Sequence, residues 1–258
     1  MGSLDLVRSY FGREAARFDA IYEEDKPLHQ RLGDAIFRRV ILERFSLVLN
    51  AVGAPGKTIL DVGCGPGRYP IELARRGAAK ATGVDVAQEM IEIAQREALA
   101  AGVADRCDFT VSDFLGYAPQ PAGGPAGTQF DAVIAMGYFD YMEEPAPHLA
   151  KMIELSRGRV FASFPKRWEV RAPLRKARFA LARGFVRFYS RAEVLSLFRD
   201  VGRLPYLSLV DLGRDYVAVY DAAAAAIAAR SPHLNGHAQH AKNGGPAGGH
   251  HAAHSVKG

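Results

Sequence analysis

Cysteine is scarce in this 258-residue chain, occurring only as Cys64 and Cys107. Two cysteines make no disulfide framework, so a reducing, cytoplasmic setting is the expectation. Long apolar runs are missing too; none approaches the roughly 20 residues that cross a bilayer. The opening "MGSLDLVRSYFGREAARF" interleaves acids and arginines where a secretion signal keeps a continuous apolar stretch, so no leader is expected. Large apolar residues also run out near the end. Residues 222–258 are alanine-rich, then rich in glycine and histidine, with six of the eight histidines beyond residue 230. Such a segment buries too little to order itself and reads as a disordered, solubilising tail. Weak nickel or zinc binding is compatible with its composition, but no metal site is assigned.

What is present is ordinary for a soluble globular protein: 48% apolar and 24% charged residues. Residues 1–52 read as helical, with Leu6 and Tyr10, then Ile36, Val40, Ile41, Leu47 and Val48, at helical spacing. This stretch is set apart as an N-terminal helical cover, ended by "GAPGK" (53–57). The pattern then changes. "TILDV" (58–62), "ATGVDV" (81–86), "CDFTVS" (107–112), "FDAVIAMG" (130–137) and "GRVFASFP" (158–165) read as strands. "RYPIELARRG" and "AQEMIEIAQREALAAG" between them read as helices. "LSLVDL" and "DYVAVYDA" suggest a late antiparallel pair. The alternation predicts an α/β, Rossmann-like core over 53–221. Its seven-stranded sheet is mostly parallel with an antiparallel last strand, and helices cover both faces. A Pro/Gly-rich loop lies at 118–128.

"ILDVGCGPGRY" (59–69) carries the chemistry. A glycine loop between strand and helix lets a ligand approach the backbone and offers amides and a helix N-terminus to it. The spacing here is G-x-G-x-G, where a dinucleotide fingerprint is G-x-G-x-x-G. Arg68 stands where that fingerprint wants its third glycine, and Asp61 precedes the loop where the fingerprint requires no acid. "LDVGCGPG" resembles the first motif of class I S-adenosylmethionine-dependent methyltransferases. The resemblance covers roughly 55–220. It implies that Asp61, Gly63, Cys64, Gly65 and Gly67 lie against the amino-acid end of S-adenosyl-L-methionine, with Asp61 receiving the ammonium group.

The resemblance assigns further positions. Asp85, ending the second strand, would accept the ribose hydroxyls, because an ionised carboxylate is a bidentate acceptor. Val86 and Met90 would flank the adenine. Asp113 would receive the adenine amino group, with the Phe114 amide at the ring and Met136 at the end of the fourth strand. Ala87 stands where the family commonly has a capping serine or asparagine. The N-terminal "YFGREAARFDAIY" (10–22) resembles the helical cover of ubiquinone-type and magnesium-protoporphyrin-type methyltransferases, which makes Tyr10 a cofactor contact.

Methyl transfer from a sulfonium needs mainly in-line placement of the acceptor, with a base where the acceptor is a hydroxyl. The small-molecule branch of the family suggests an oxygen nucleophile. Catalytic candidates lie beyond the fourth strand, in "AMGYFDYMEEPAPH" (135–148): Asp140 and Tyr141 first, then Tyr138 and His148. The stretch lacks the Asn/Asp/Ser-Pro-Pro-aromatic motif of amino-methylating DNA enzymes, and no nucleic acid is expected.

Residues 166–191 hold nine Lys/Arg and one acid, a net +8 that leaves the rest of the chain at −3. Three readings fit this lid-like insert. It is a solvated helical face, a lid binding an acidic acceptor through arginine, or a peripheral membrane patch presenting a lipid-linked acceptor. Two other readings of the chain remain open, a nicotinamide-dependent oxidoreductase and a non-catalytic protein that binds S-adenosylmethionine.

Overall fold

The computed structural model describes residues 41–119, 129–167 and 186–230. Tyr10 and most of the expected helical cover, most of the Pro/Gly-rich loop and the centre of the basic insert lie outside these residues, as does the tail beyond 230. Helix α1 covers 41–52. Then follow β1 (Thr58–Val62), α2 (Arg68–Arg75), β2 (Lys80–Asp85), α3 (Gln88–Ala100), β3 (Cys107–Val111), β4 (Phe130–Ala135), α4 (Pro145–Glu154) and β5 (Ser156–Pro165). The chain closes with α5 (Arg191–Asp200), β6 (Leu207–Asp211), β7 (Asp215–Asp221) and α6 (Ala222–Arg230).

The seven strands form one sheet in the order β3-β2-β1-β4-β5-β7-β6. β1 to β5 run parallel, while β7 is antiparallel to both β5 and β6. The chain turns from building leftward to building rightward between β1 and β4, so the carboxyl ends of these strands open a crevice at the switch point. A wholly parallel dinucleotide-binding sheet has no reversed strand wedged between its fifth and sixth.

Burial explains which runs became central strands. β1, β2 and β4 are buried almost throughout, as strands covered on both faces must be. β3 and β6 are more exposed and form the two edges. On one face Leu60, Val133 and Val160 meet Leu149 and Met152 of α4 and Phe198 of α5. On the other, Ile59, Ile134 and Phe161 meet Leu73 of α2 and Val48 and Leu49 of α1. Residues 41–52 are therefore a layer of the core, although the sequence grouped them with a separate cover. The sequence likewise placed the disordered tail from 222, yet 222–230 form α6. Alanine is the strongest helix former, and five alanines follow β7 directly.

Two helices went unread in the sequence. α4 starts with Pro145 in its first turn, where the missing amide costs nothing. α5 opens with a capping box: Ser190 Oγ accepts from the Glu193 amide at 3.2 Å, and Glu193 Oε2 accepts from the Ser190 amide at 2.7 Å.

Candidate functional site

β1, β2 and β3 each deliver one carboxylate to the crevice: Asp61 from within β1, Asp85 at the end of β2 and Asp113 two residues past β3. Their surroundings differ, and the differences define the site. Asp61 is 2% exposed and its Oδ2 has no hydrogen-bond partner. Burial, then the neighbouring Asp85 charge, hold its pKa well above the usual carboxylate range, and Arg44 opposes them. An acceptor buried without a partner is costly, which marks the place for a donor, best a cationic one. Asp113 Oδ1 is likewise buried without a partner, while its Oδ2 receives only a long 3.4 Å bond from the Gly116 amide.

Asp85 is tied to its own loop. Oδ2 accepts from the Gly65 amide at 2.9 Å and Oδ1 from the Ala87 amide at 3.0 Å. Burial raises its pKa and these amide bonds oppose the rise. A carboxylate has about four lone-pair sites, so a diol still finds acceptors there. The second bond also explains Ala87. Asp85 holds the amide at the start of α3, and the Ala87 methyl packs with Met90 and Ile93. Met90 is 2% exposed and packs within that cluster. Val86 is half-buried beside it.

The glycine loop contributes clearance more than donors, contrary to the expectation from sequence. Gly63, Gly65 and Gly67 all have positive φ, at 68°, 53° and 79°. A Cβ on Gly63 would stand 2.7 Å from Cδ2 of Tyr138, and one on Gly67 would stand 2.9 Å from the Phe109 ring. The amides, however, are engaged inside the protein. Gly63 and Cys64 both donate to the Val84 carbonyl, at 2.8 and 3.1 Å, and Gly67 donates to the Cys64 carbonyl at 3.1 Å. Cys64 is 7% exposed and its thiol is pushed up by burial.

The candidates after β4 fall into two groups. Tyr138 lies against Gly63, and its hydroxyl is 2.8 Å from His148 Nδ1. The Phe114 ring, 2% exposed, stacks on His148. Burial raises the Tyr138 phenol strongly and lowers the His148 imidazole, so both are neutral at pH 7. This pair is a wall under the loop. Asp140, 6% exposed, instead lies close enough to Arg44 and Tyr189 to shift both. Tyr141 is half-buried against Val186 and Phe188. Met136 is buried with Val48 and Leu49 of α1.

Arg44 was missed. Its Nη1 donates to Asp215 Oδ2 at 3.1 Å and lies 3.3 Å from Ser163 Oγ. Ser163 Oγ in turn accepts from the Gly137 amide at 2.7 Å. This network ties α1 to β5, β7 and the turn after β4. The signal was present: Arg44 sits three residues after Ile41 and four before Val48, on the apolar stripe of a helix. Of the basic insert, Lys166 pairs with Asp211 at 2.8 Å, Arg167 pairs with Glu193, and Arg187 donates to the Glu143 carbonyl at 2.6 Å. Residues 168–185 lie outside the described residues. Among the described residues, no helix is long and apolar enough to cross a membrane.

Comparison with known proteins agrees with this geometry. Residues 59–157 match the family model of a methyltransferase domain. The ubiquinone biosynthesis O-methyltransferase of Aeromonas salmonicida (strain A449) is 32% identical over 161 residues, which is 58% of this chain and 60% of that protein. The chain thus spans about three fifths of the length of that curated relative. Magnesium protoporphyrin IX methyltransferase from Synechocystis PCC 6803, crystallised with bound SAH, superposes with a TM-score of 0.66 at 19% identity, covering 85% of this chain and 99% of its own. The cyclase SpnF superposes with a TM-score of 0.54 at 22% identity, covering 81% and 75%. At such identities the likeness shows the fold, and one fold hosts several chemistries.

Proposed function

With residues 59–157 belonging to the methyltransferase-domain family and set in a class I methyltransferase fold, we propose that this chain binds S-adenosyl-L-methionine and methylates a small molecule at oxygen. The observation that carries the reading is the set of three carboxylates around a glycine loop, two of them with a buried oxygen lacking a partner. When bound, the cofactor supplies a methyl group on a positively charged sulfur.

The chain's own residues divide the remaining work. Asp61 Oδ2 takes the ammonium group, which removes the cost of a buried, unpaired acceptor. Asp85 turns its remaining acceptor capacity to the ribose diol. Asp113 Oδ1 accepts from the adenine amino group. Gly63 and Gly67 let the Tyr138 and Phe109 rings pack directly against the loop backbone. On the acceptor side Asp140 and Tyr141 both meet the segment entering from 186; Asp140 as carboxylate, or Tyr141 as phenolate, receives the hydroxyl proton. Base catalysis of this kind contributes about 10²- to 10⁴-fold. The Tyr138–His148 pair, bonded to itself, is assigned to the wall.

The oxygen assignment is supported by the O-methyltransferase relative. The reversed strand between β5 and β6 disfavours a nicotinamide enzyme. The test has two stages. Calorimetric titration with S-adenosylmethionine, S-adenosylhomocysteine and NAD comes first, and micromolar binding of the first two with silence from NAD is expected. Transfer of an isotopically labelled methyl group to a panel of phenols, catechols and carboxylic acids comes second. An NAD signal overturns the cofactor. Tight cofactor binding with labelling only of amines overturns the acceptor atom.

A further inference from the structure

Asp113 is the least supported of the three carboxylates. It lies past the end of β3, on an edge of the sheet, and its turn closes through a 3.2 Å bond from the Tyr117 amide to the Phe114 carbonyl. One long side chain crosses from α4 to hold this turn. Lys151 Nζ donates to the Leu115 carbonyl at 2.8 Å and to the Tyr117 carbonyl at 2.5 Å. It also stands 5.2 Å from the centroid of the Phe114 ring, within cation–π range. The ammonium thus grips three consecutive features of the turn that follows Asp113, and Phe114 is anchored in turn by stacking on His148. Two hydrogen bonds from a charged donor, each worth more than a neutral one, resist drift of these carbonyls.

We infer that Lys151 is a positioning residue that sets adenine specificity: by clamping the 114–117 turn it fixes Asp113 Oδ1 where an exocyclic amino group must meet it. The inference rests on the cofactor reading above, since Asp113 has a nucleobase to select only if that reading holds. Lys151 touches neither cofactor nor acceptor. Its effect is confined to the base-recognising end, because Asp61 and Asp85 are held by β1, β2 and their own loop.

The probe is a pair of ligands differing at one position, S-adenosylhomocysteine and S-inosylhomocysteine. The second has a carbonyl where adenine has its amino group, and it sets oxygen against the Asp113 carboxylate. A hydrogen bond to a charged acceptor makes a difference of about 10- to 100-fold in affinity. Wild type is expected to prefer the adenine ligand by about that factor. Lys151→Met should reduce the preference below about threefold by weakening the adenine ligand alone, and Lys151→Arg should restore most of it. Melting temperatures are measured alongside, and Lys151→Gln, which keeps one donor, should fall between if Lys151→Met folds poorly. Failure of wild type to bind S-adenosylhomocysteine sinks the cofactor reading and this inference with it. Wild-type binding without base preference, or a Lys151→Met protein that keeps full preference, overturns the inference and leaves the cofactor reading standing.

Discussion

Replacing Asp61 by asparagine should make the ligand-free protein more stable and the cofactor complex weaker. Asp61 is 2% exposed, its Oδ2 has no partner, and Asp85 adds a like charge nearby, with only Arg44 in opposition. An ionised carboxylate in that position costs about 1–3 kcal/mol or more. A neutral amide removes the charged part of that cost. About 1 kcal/mol of recovered stability corresponds to roughly 2–4 °C in Tm for a domain of this size. The gain depends on pH. Burial raises the folded-state pKa above the unfolded value of about 4, so the folded protein keeps a proton that the unfolded chain releases. The group is therefore harmless below about pH 4 and subtracts stability increasingly as pH rises toward its folded-state value. The asparagine advantage should be absent near pH 4 and larger at pH 8. With S-adenosylmethionine the sign reverses, because the ammonium group has lost a charged acceptor. Affinity should fall about 10- to 100-fold. Calorimetric unfolding at both pH values, with and without ligand, measures all of this. A variant that is less stable than wild type at pH 8 without ligand refutes the unpaired-charge argument, and unchanged affinity refutes the ammonium assignment.

Gly63→Ala should destabilise the protein by about 2 kcal/mol, read by chemical denaturation, because φ is 68° and the new Cβ would stand 2.7 Å from the Tyr138 ring. Asp131→Asn tests the opposite end of the sheet. The Thr58 amide and Arg157 hold the Asp131 carboxyl at about 2. Its stabilisation is present above about pH 4 and is lost as pH falls through about 2. A loss of about 1 kcal/mol at pH 7, discounted because Arg157 is 53% exposed, should disappear near pH 2, and cofactor affinity at pH 7 should be unchanged. Tyr141→Phe and Asp140→Asn should separate the acceptor-side candidates: one lowers kcat by about 10²-fold or more without moving cofactor affinity, whereas Tyr138→Phe keeps kcat within about threefold.

The central sheet was legible because each parallel strand is a short apolar run between glycines or helix starts, and "TILDV" and "FDAVIA" follow that pattern. The late hairpin was legible through "GR" between its strands. Its insertion with β7 next to β5 was not, since that pairing joins residues about fifty to sixty apart with no local signal. α5 is marked in the sequence by Ser190 and Glu193, a capping box at the end of a segment whose basic composition obscures it. The carboxylates were singled out through the resemblance carried by the glycine motif; Asp61 lies within β1, Asp85 ends β2 and Asp113 lies two residues past β3. Arg44 and Lys151 act through the fold. Arg44 bonds residues 119 and 171 positions away, and Lys151 bonds carbonyls 36 and 34 positions away. No spacing rule finds such pairs, though an arginine on an apolar stripe asks for a buried partner.

The loop that first suggested a nucleotide also decides between two kinds. A pyrophosphate is bound where successive amides point outward and no anion competes. Here the amides of Gly63, Cys64, Gly65 and Gly67 are all donated to acceptors within the protein, and position 66 is a proline with no amide to give. The Gly65 amide goes to the Asp85 carboxylate itself. What stands beside the loop for a ligand is therefore Asp61 and Asp85, with Arg44 already paired to Asp215. A doubly charged pyrophosphate would meet carboxylates and few donors. A ligand carrying a sulfonium and an ammonium meets acceptors that are otherwise too costly to keep buried. A G-x-G-x-G loop whose amides are satisfied within the protein thus leaves Asp61 and Asp85 to select a cationic partner.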